Sequence, residues 1–245
     1  MTKRGLVLIA ALSLPAATPL AAHAQDGFLF GQPKAQLTLR AGPMLHRAGG
    51  DLFDFFTDSL TLERSDFRAP AIGGEVAIVL HRRLDVALGV SYSNVESSSE
   101  FREWVDENDQ PIEQVTKLRV IPVTASIRYY PFERGRGISE LAWVPVRTTP
   151  YVGAGGGMSW YRLVQEGDFV DSSDLTIFTA TFESRGRATT GHVFAGLDHW
   201  FTPRLGLNAE GRYTIGSARP GLDFQNWDSI DLSGLQFAVG LALRW

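Results

Sequence analysis

The sequence predicts an all-β protein, a closed antiparallel transmembrane β-barrel of about eight strands with a polar interior and long extracellular loops. Bulky apolar residues alternate with small or polar ones in eight segments of about 9–13 residues, close to the length that a tilted strand needs to cross hydrocarbon. The links between these segments are alternately short and long, as in transmembrane barrels. No run of about 18 consecutive apolar residues follows the N-terminal region, so strands rather than helices are expected to cross the bilayer.

The C-terminal segment shows this alternation most clearly. One set of alternate positions is wholly apolar and the other is small or polar, so the two faces of the predicted strand differ. In a barrel surrounded by lipid, the apolar face meets the acyl chains and the other face lines the interior. The apolar set is Leu235, Phe237, Val239, Leu241, Leu243 and Trp245, and the other set is Gln236, Ala238, Gly240, Ala242 and Arg244.

Seven further segments have the same pattern, with two irregularities. Phe194 breaks the alternation of its segment. Pro122 removes a backbone donor within another segment, which predicts a β-bulge there. The seven predicted strands lie at about residues 36–43, 71–81, 85–92, 121–129, 151–161, 192–198 and 205–215.

The lengths of the links predict which end of the barrel faces the periplasm. Short links at 82–84 and 201–204 are expected to be periplasmic turns, which places both chain ends on that side. The link 132–149 is long although it lies on the same side, and both a small helix and a plug from below remain open for it. The predicted external loops are 45–70, 94–116, 163–190 and 217–232.

The N-terminal region is typical of an export signal. Lys3 and Arg4 precede the apolar stretch 6–14, and Ala22-His23-Ala24 supplies a small-x-small cleavage pattern. An uncleaved anchor is the less favoured alternative, because the stretch is too short to span a bilayer. The predicted organisation is a signal peptide (1–24), a short periplasmic segment (25–34) and an outer-membrane β-barrel domain (35–245).

Composition excludes several classes of function. The chain has no cysteine, so a disulfide framework and a cysteine-ligated zinc site are excluded. Removal of residues 1–24 takes two of the 23 basic residues and none of the 27 acidic ones, which leaves a net charge of −6. Nucleic acid is therefore not expected as a partner, since phosphate contacts need a clustered basic surface.

These features together resemble the small eight-stranded outer-membrane barrels, the group that includes the OmpA transmembrane domain, OmpX and OmpW. The resemblance covers almost the whole chain after the signal and implies a location in the outer membrane, with outer-membrane lipid and lipopolysaccharide as partners. A monomer is favoured. The last strand, with Phe237, Val239, Leu241, Leu243 and Trp245, resembles the signal that the barrel-assembly machinery reads.

The most informative polar residues are charged and predicted to face inward. A barrel of eight strands is just wide enough for side chains to fill it, and buried charges must be paired. We therefore expect an interior ion-pair network in which Glu75 and Glu210 are opposed by arginines. The network forms either a rigid polar core or a gate for small solutes, and the sequence leaves both open. The predicted members are Arg40, Glu75, Arg128, Asp198, Glu210, Arg212 and Arg244.

Two external segments are unusually apolar, Leu52–Leu62 and Leu175–Phe182. They are expected to form a short amphipathic helix and a hairpin that pack on one another over the barrel mouth. A site for a hydrophobic ligand or partner is the alternative. Aromatic residues near the predicted strand ends are expected to form interfacial girdles. They are Tyr92, Tyr129, Tyr130, Phe132, Trp160, Tyr161, Trp200, Phe201, Tyr213 and Trp245.

No enzyme, cofactor or metal site is expected. His46 and His192 lie nearest the outer rim, where a lipid-modifying enzyme would act, but neither has a nearby serine in an arrangement that specifies a triad. Acidic residues recur in the loops without the ordered twelve-residue pattern of a calcium loop. A soluble lipocalin-like barrel is the less favoured fold, because it would place repeated Gly and Ala on the solvent face.

Overall fold

The computed structural model describes residues 27–106, 108–139, 142–171 and 174–245. The predicted signal peptide, 1–24, lies outside the described residues. Among the residues that the structure describes, no helix is long and apolar enough to cross a membrane. Eight long strands form the main sheet: β1 (Ala35–His46), β2 (Arg68–His81), β3 (Leu84–Val105), β4 (Pro111–Tyr129), β7 (Thr148–Val170), β8 (Ile177–Trp200), β9 (Leu205–Ala218) and β11 (Gly234–Arg244).

Shorter elements occupy the links. They are α1 (Asp51–Ser59), the periplasmic hairpin β5 (Gly135–Ser139) and β6 (Ala142–Pro145), the two-residue β10 (Ile230–Asp231), and single 3₁₀ turns at Arg64–Phe67 and Leu222–Phe224. The order of the long strands is β9-β11-β1-β2-β3-β4-β7-β8, and an additional pairing of β8 with β9 closes the ring. Every neighbouring pair is antiparallel. The closed ring leaves no unpaired edge, which confirms the predicted fold class.

Four strands are much longer than predicted. β3 and β4 continue to Val105 and Pro111, and β7 and β8 continue to Val170 and Ile177, so two of the predicted long loops are mostly strand. The predicted boundaries at 94–116 and 163–190 were therefore wrong. The side-chain pattern changes where these strands leave the lipid, but the backbone ladder between β4 and β7 continues in the same register, as in Val115 opposite Glu166.

The predicted bulge at Pro122 is absent. Val90 lies opposite Val123 and Ser93 opposite Val120, so the register between β3 and β4 is the same on both sides of the proline. On the other edge Pro122 pairs with Ser159 in an unbroken ladder with β7. The prediction was wrong because a missing N–H removes one possible ladder bond without adding a residue to the strand.

The long periplasmic link forms a β-hairpin, β5–β6, rather than a small helix. Trp143 exchanges two backbone hydrogen bonds with Leu29, each 2.8 Å long, so the segment before β1 is fastened to this hairpin. The indole of Trp143 is buried, and its ring centre lies 5.4 Å from the Arg244 guanidinium. The hairpin therefore packs beneath the periplasmic end of the ring.

Candidate functional site: the barrel interior

The outer surface of the ring carries a continuous apolar belt. Every long strand contributes large apolar side chains that are at least 40% exposed, an area that a soluble monomer does not present to water. Lipid is the solvent that suits such a surface, and a closed ring satisfies all backbone groups within it. Examples from the eight strands are Leu39, Ile72, Leu88, Val123, Val152, Val193, Leu207 and Val239.

The protein is an eight-stranded transmembrane β-barrel. Exposed aromatic rings border the belt, with Tyr92, Trp160 and Tyr213 towards the outside and Tyr129 and Trp245 at the periplasmic end. Three of the predicted girdle residues were wrong, because the side chains of Tyr130, Tyr161 and Trp200 are buried. The lipocalin alternative is excluded by the last strand, whose bulky residues point away from the interior.

Two carboxylates occupy the middle of the interior and contact the same arginines. Glu75 on β2 accepts hydrogen bonds from Arg40 (2.7 Å), from Arg212 (3.2 Å) and from Arg128. Glu210 on β9 accepts hydrogen bonds from Arg40 and, at 3.1 Å, from Nε of Arg212. Both carboxylates and Arg128 are buried. Charges in a narrow low-dielectric space are stable only when paired in this way, and the five side chains form one cluster, the central network.

Aromatic rings support the arginines of the central network. The guanidinium of Arg128 lies 4.3 Å from the ring centre of Tyr151, and that of Arg212 lies 4.9 Å from the ring centre of Phe194. Phe194 breaks the alternation of its strand because its ring is needed on the inner face as this cation–π partner. A side chain at Gly153 would place its Cβ 2.2 Å from that ring, so glycine is required there.

Asp198 lies below the central network and is surrounded mainly by neutral donors. It accepts hydrogen bonds from Asn208 (2.7 Å), Tyr130 (3.3 Å) and Gln36 (3.4 Å). Tyr151 connects the two levels, since its hydroxyl accepts from Asn208 at 2.8 Å and donates to Glu210 at 2.8 Å. Asp198 was predicted as a member of an ion-pair network, but the structure connects it through hydroxyl and amide groups.

Arg244 stands apart from the central network at the periplasmic end. Its Nε donates to the carbonyl oxygen of Pro203 at 2.7 Å, and its guanidinium lies 3.7 Å from the ring centre of Trp200. A second ion pair lies at this end, where Arg134 contacts Asp85 at 2.8 Å. Sequence reasoning missed this pair because Arg134 belongs to the link without a recognisable pattern.

The interior above the central network contains a large apolar cluster. Helix α1 turns Leu52, Phe53 and Phe56 inward, and each is at most 1% exposed. They pack with apolar residues from the links and from the inner faces of the extended strands. We call this cluster the outer plug: Ala48, Leu52, Phe53, Phe56, Leu60, Leu62, Phe67, Leu118, Val120, Tyr161, Leu163, Ala188, Ala218, Phe224, Ile230 and Leu232.

The predicted amphipathic helix is therefore present, but its predicted partner was wrong. Leu175, Ile177 and Phe178 at the tip of the β7–β8 hairpin are 58%, 38% and 40% exposed and do not belong to the plug. Only Phe182 of that segment packs against it. The helix is covered by the walls of the extended strands, which the sequence reading had assigned to loops.

A buried serine and histidine meet inside the barrel. Ser126 Oγ lies 2.8 Å from His192 Nε2, a contact that the sequence did not predict. The two residues belong to β4 and β8, and Gly155 lies between them on β7. Because Gly155 has no side chain, the serine and the histidine can approach each other across this strand. Among the described residues, His192 Nδ1 has no hydrogen-bond partner, so no carboxylate orients the ring as in a catalytic triad.

The space left around the polar side chains is small. A cavity of about 40 Å³ adjoins Arg40, Glu75, Glu210 and Arg212. A second cavity, of about 20 Å³, lies near the periplasmic end beside Asp198 and Arg244. Spaces of this size hold single water molecules or a few of them.

The chain matches no protein-family model and no curated protein sequence. Among solved structures, it is similar to the Neisserial surface protein A, at 14% identity, with 90% of this chain and 98% of that chain covered and a TM-score of 0.48. It is also similar to the outer membrane protein OprG from Pseudomonas aeruginosa, at 12% identity, 89% and 99% coverage and a TM-score of 0.49. It is also similar to the E. coli outer membrane protein W, at 18% identity, with 88% of this chain and 100% of that chain covered and a TM-score of 0.39.

Proposed function

We propose that the protein is a closed, non-enzymatic outer-membrane barrel that holds two long hairpins at the cell surface. The observation that carries this proposal is the filling of the interior at successive levels. Arg244 and Trp200 occupy the periplasmic end, the central network occupies the middle, and the outer plug occupies the mouth. A solute would have to displace all three.

Energetics favour the closed state. Separating Glu75 from its arginines would leave an uncompensated buried charge, at a penalty of roughly 3–5 kcal/mol. Moving α1 out of the mouth would expose the buried phenyl rings of Phe53 and Phe56 to water. The polar interior therefore acts as a rigid core that keeps the ring in shape.

The parts that reach the cell surface are the extended hairpins. From Tyr92 at the belt edge to Val105, β3 continues for about 40 Å of strand at roughly 3.3 Å per residue. The β7–β8 hairpin extends in the same direction and exposes Leu175 and Phe178 at its tip. Apolar residues at an exposed tip support a role in contacts with a partner or another surface.

A gated passage for small solutes is the second candidate. The observation that favours it is the cavity beside Arg40 and Arg212, since both arginines contact both carboxylates and an exchange of partners would widen this space. The partners would then be ions or small polar solutes rather than surface ligands.

The lack of enzymatic activity is also part of the proposal. Ser126 and His192 are about 95% shielded from solvent, so no lipid or peptide reaches them. As for assembly, Phe237, Val239, Leu241, Leu243 and Trp245 project from the outer face of β11, where the assembly machinery would read them. A monomer suits a ring that pairs all its own strands.

Conductance in planar bilayers tests the proposal. The purified protein is expected to give no stepwise current, and so is the Glu183→Gln variant, which changes an external carboxylate. An ion-selective current in the unaltered protein that Glu210→Gln changes and Glu183→Gln leaves unchanged would replace the closed barrel by the gated passage.

A further inference from the structure

Four arginines point outward on the adjacent strands β4, β7 and β8, just beyond the apolar belt. Arg119 lies opposite Arg162, and Arg162 lies opposite Arg185 across the next ladder. Arg187 lies opposite Trp160, an exposed aromatic residue at the outer edge of the belt. All four arginines are exposed. Like charges placed directly opposite each other on one face of a sheet are destabilising unless an anion lies between them.

The chain itself supplies only part of the required negative charge. Glu183 contacts Arg162 at 2.6 Å and Arg185 at 3.3 Å. The hydrogen bond from Arg162 lowers the pKa of the Glu183 carboxyl, so this group is ionised at neutral pH. Among the described residues, no carboxylate forms an ion pair with Arg119 or Arg187. The patch therefore keeps an excess of positive charge.

The arginines border a groove of about 530 Å³ that is shaped for an amphiphile. Ile121 and Trp160 line the side that is continuous with the belt, and the guanidinium groups line the other side. We call this feature the arginine groove. Because the belt marks the hydrocarbon layer, the guanidinium groups lie at the level of the lipid headgroups of the outer leaflet.

We propose that the arginine groove binds the phosphorylated headgroup of an outer-leaflet lipid of the lipopolysaccharide type, with its acyl chains along Ile121 and Trp160. Guanidinium groups bind phosphate through paired hydrogen bonds, and a phosphate between the strands removes the repulsion among the arginines. A lipid fits better than a free anion, since the apolar side of the groove is left for acyl chains. The site lies outside the barrel and is independent of whether the interior conducts.

Binding of lipid A to the refolded protein in zwitterionic micelles tests the proposal. The groove variant is Arg119→Gln with Arg187→Gln. The matched control, Arg68→Gln with Arg136→Gln, removes the same charge from exposed arginines on β2 and β5. The groove variant is expected to bind lipid A about thirtyfold more weakly, since each basic residue near a charged lipid surface contributes about fivefold. The control is expected to stay within about twofold of the unaltered protein.

Two further measurements identify the source of the phosphate. Lipid A with its phosphates removed is expected to bind the unaltered protein about as weakly as lipid A binds the groove variant. If the groove variant and the control variant lost lipid A affinity equally, the loss would be due to overall charge, and the proposal would be overturned. Displacement of lipid A by low millimolar inorganic phosphate would overturn the lipid assignment. Should the glutamine variant fail to refold, Arg119→Lys with Arg187→Lys keeps the charge and is still expected to bind more weakly, because lysine cannot form the paired hydrogen bonds.

Discussion

The belt region and the outer region of the barrel are built by the same strands, yet the two regions place their apolar side chains on opposite faces of the wall. Within the belt, β4 directs Ile127 outward and Arg128 inward. Further along the same strand, Arg119 points outward and Leu118 points inward. The ladder between β4 and β7 runs from one region to the other without a register shift. The alternation of faces is thus constant, and only the chemistry of each face changes.

The difference shows that the surroundings of the wall decide which face is apolar. Lipid outside the belt requires an apolar exterior, and the enclosed space then holds the polar groups. Above the lipid, water surrounds the wall, so the apolar residues turn inward and form the outer plug as in a soluble protein. The change occurs near Val120 and Ile121, next to the arginine groove.

The largest expected effect comes from the central network. Glu75→Ala removes a shared partner of Arg40, Arg128 and Arg212, and the buried charges left behind are expected to lower the free energy of unfolding by about 3–5 kcal/mol. Urea unfolding in lipid vesicles, followed by tryptophan fluorescence, measures the change. Glu183→Ala is the control, and its exposed ion pairs contribute about 0–1 kcal/mol. A loss below 1 kcal/mol for Glu75→Ala would contradict the assignment of the central network as a structural core.

The outer plug is expected to behave as a separate unit. Phe53→Ala creates a cavity in the plug and weakens its packing by about 3 kcal/mol or slightly more. Amide hydrogen exchange is expected to accelerate in α1 and in the neighbouring outer strand ends while the belt segments keep their protection. If the belt segments lost protection to the same extent, the two regions would form one cooperative unit and the comparison would fail.

A pair of exchanges on β4 tests the inversion directly. Ile127→Arg places a charge against hydrocarbon and is expected to destabilise the barrel by about 2–4 kcal/mol. Arg119→Ile makes the opposite exchange in the outer region and is expected to change stability by less than about 1 kcal/mol. Refolding yields and urea midpoints in vesicles report both variants. Equal losses would mean that lipid does not distinguish the two positions.

The smallest expected effect concerns the tip of the β3–β4 hairpin. The Asp106 carboxylate accepts backbone hydrogen bonds from Asn108 at 2.8 Å and Gln110 at 2.7 Å, which lowers the pKa of this group. The folded form therefore binds the proton less tightly than the open form. The stabilisation of the tip is present at neutral pH and is lost as the pH falls through the lowered pKa. Amide chemical shifts of Asn108 and Gln110 are expected to titrate in that range, and Asp106→Asn should abolish the titration.

The belt portions of the strands could be predicted from the sequence because lipid assigns the apolar face in advance. The same reasoning selected Arg40, Glu75, Arg128, Glu210 and Arg212 as inward-facing. The sequence did not predict which of these side chains contact each other across the interior, because those contacts depend on how the ring closes. Asp198 therefore received neutral donors, and Arg244 found Trp200 instead of a carboxylate.

The outer portions were missed for a different physical reason. Between Lys117 and Val120 the apolar residues move from the outward face of the strand to the inward face. A search that expects the apolar residues always on the outward face therefore ends the strand there. Ser126 and His192 were missed because they meet across an intervening strand, through the space that Gly155 leaves. A sequence reading that allowed the apolar face to switch once along each strand would have extended β3, β4, β7 and β8.

The extended hairpins also set a demand on biogenesis. If the strands enter from the periplasmic side, the charged outer ends of β4, β7 and β8 have to pass through the entire hydrocarbon layer before they reach water. Transit as paired hairpins would keep the backbone groups satisfied on the way, whereas single strands would expose them to lipid. Once Arg119, Arg162 and Arg185 lie among the headgroups, moving them back through the hydrocarbon layer would be as unfavourable as inserting them. These charged side chains therefore help to keep the strands in their transmembrane position.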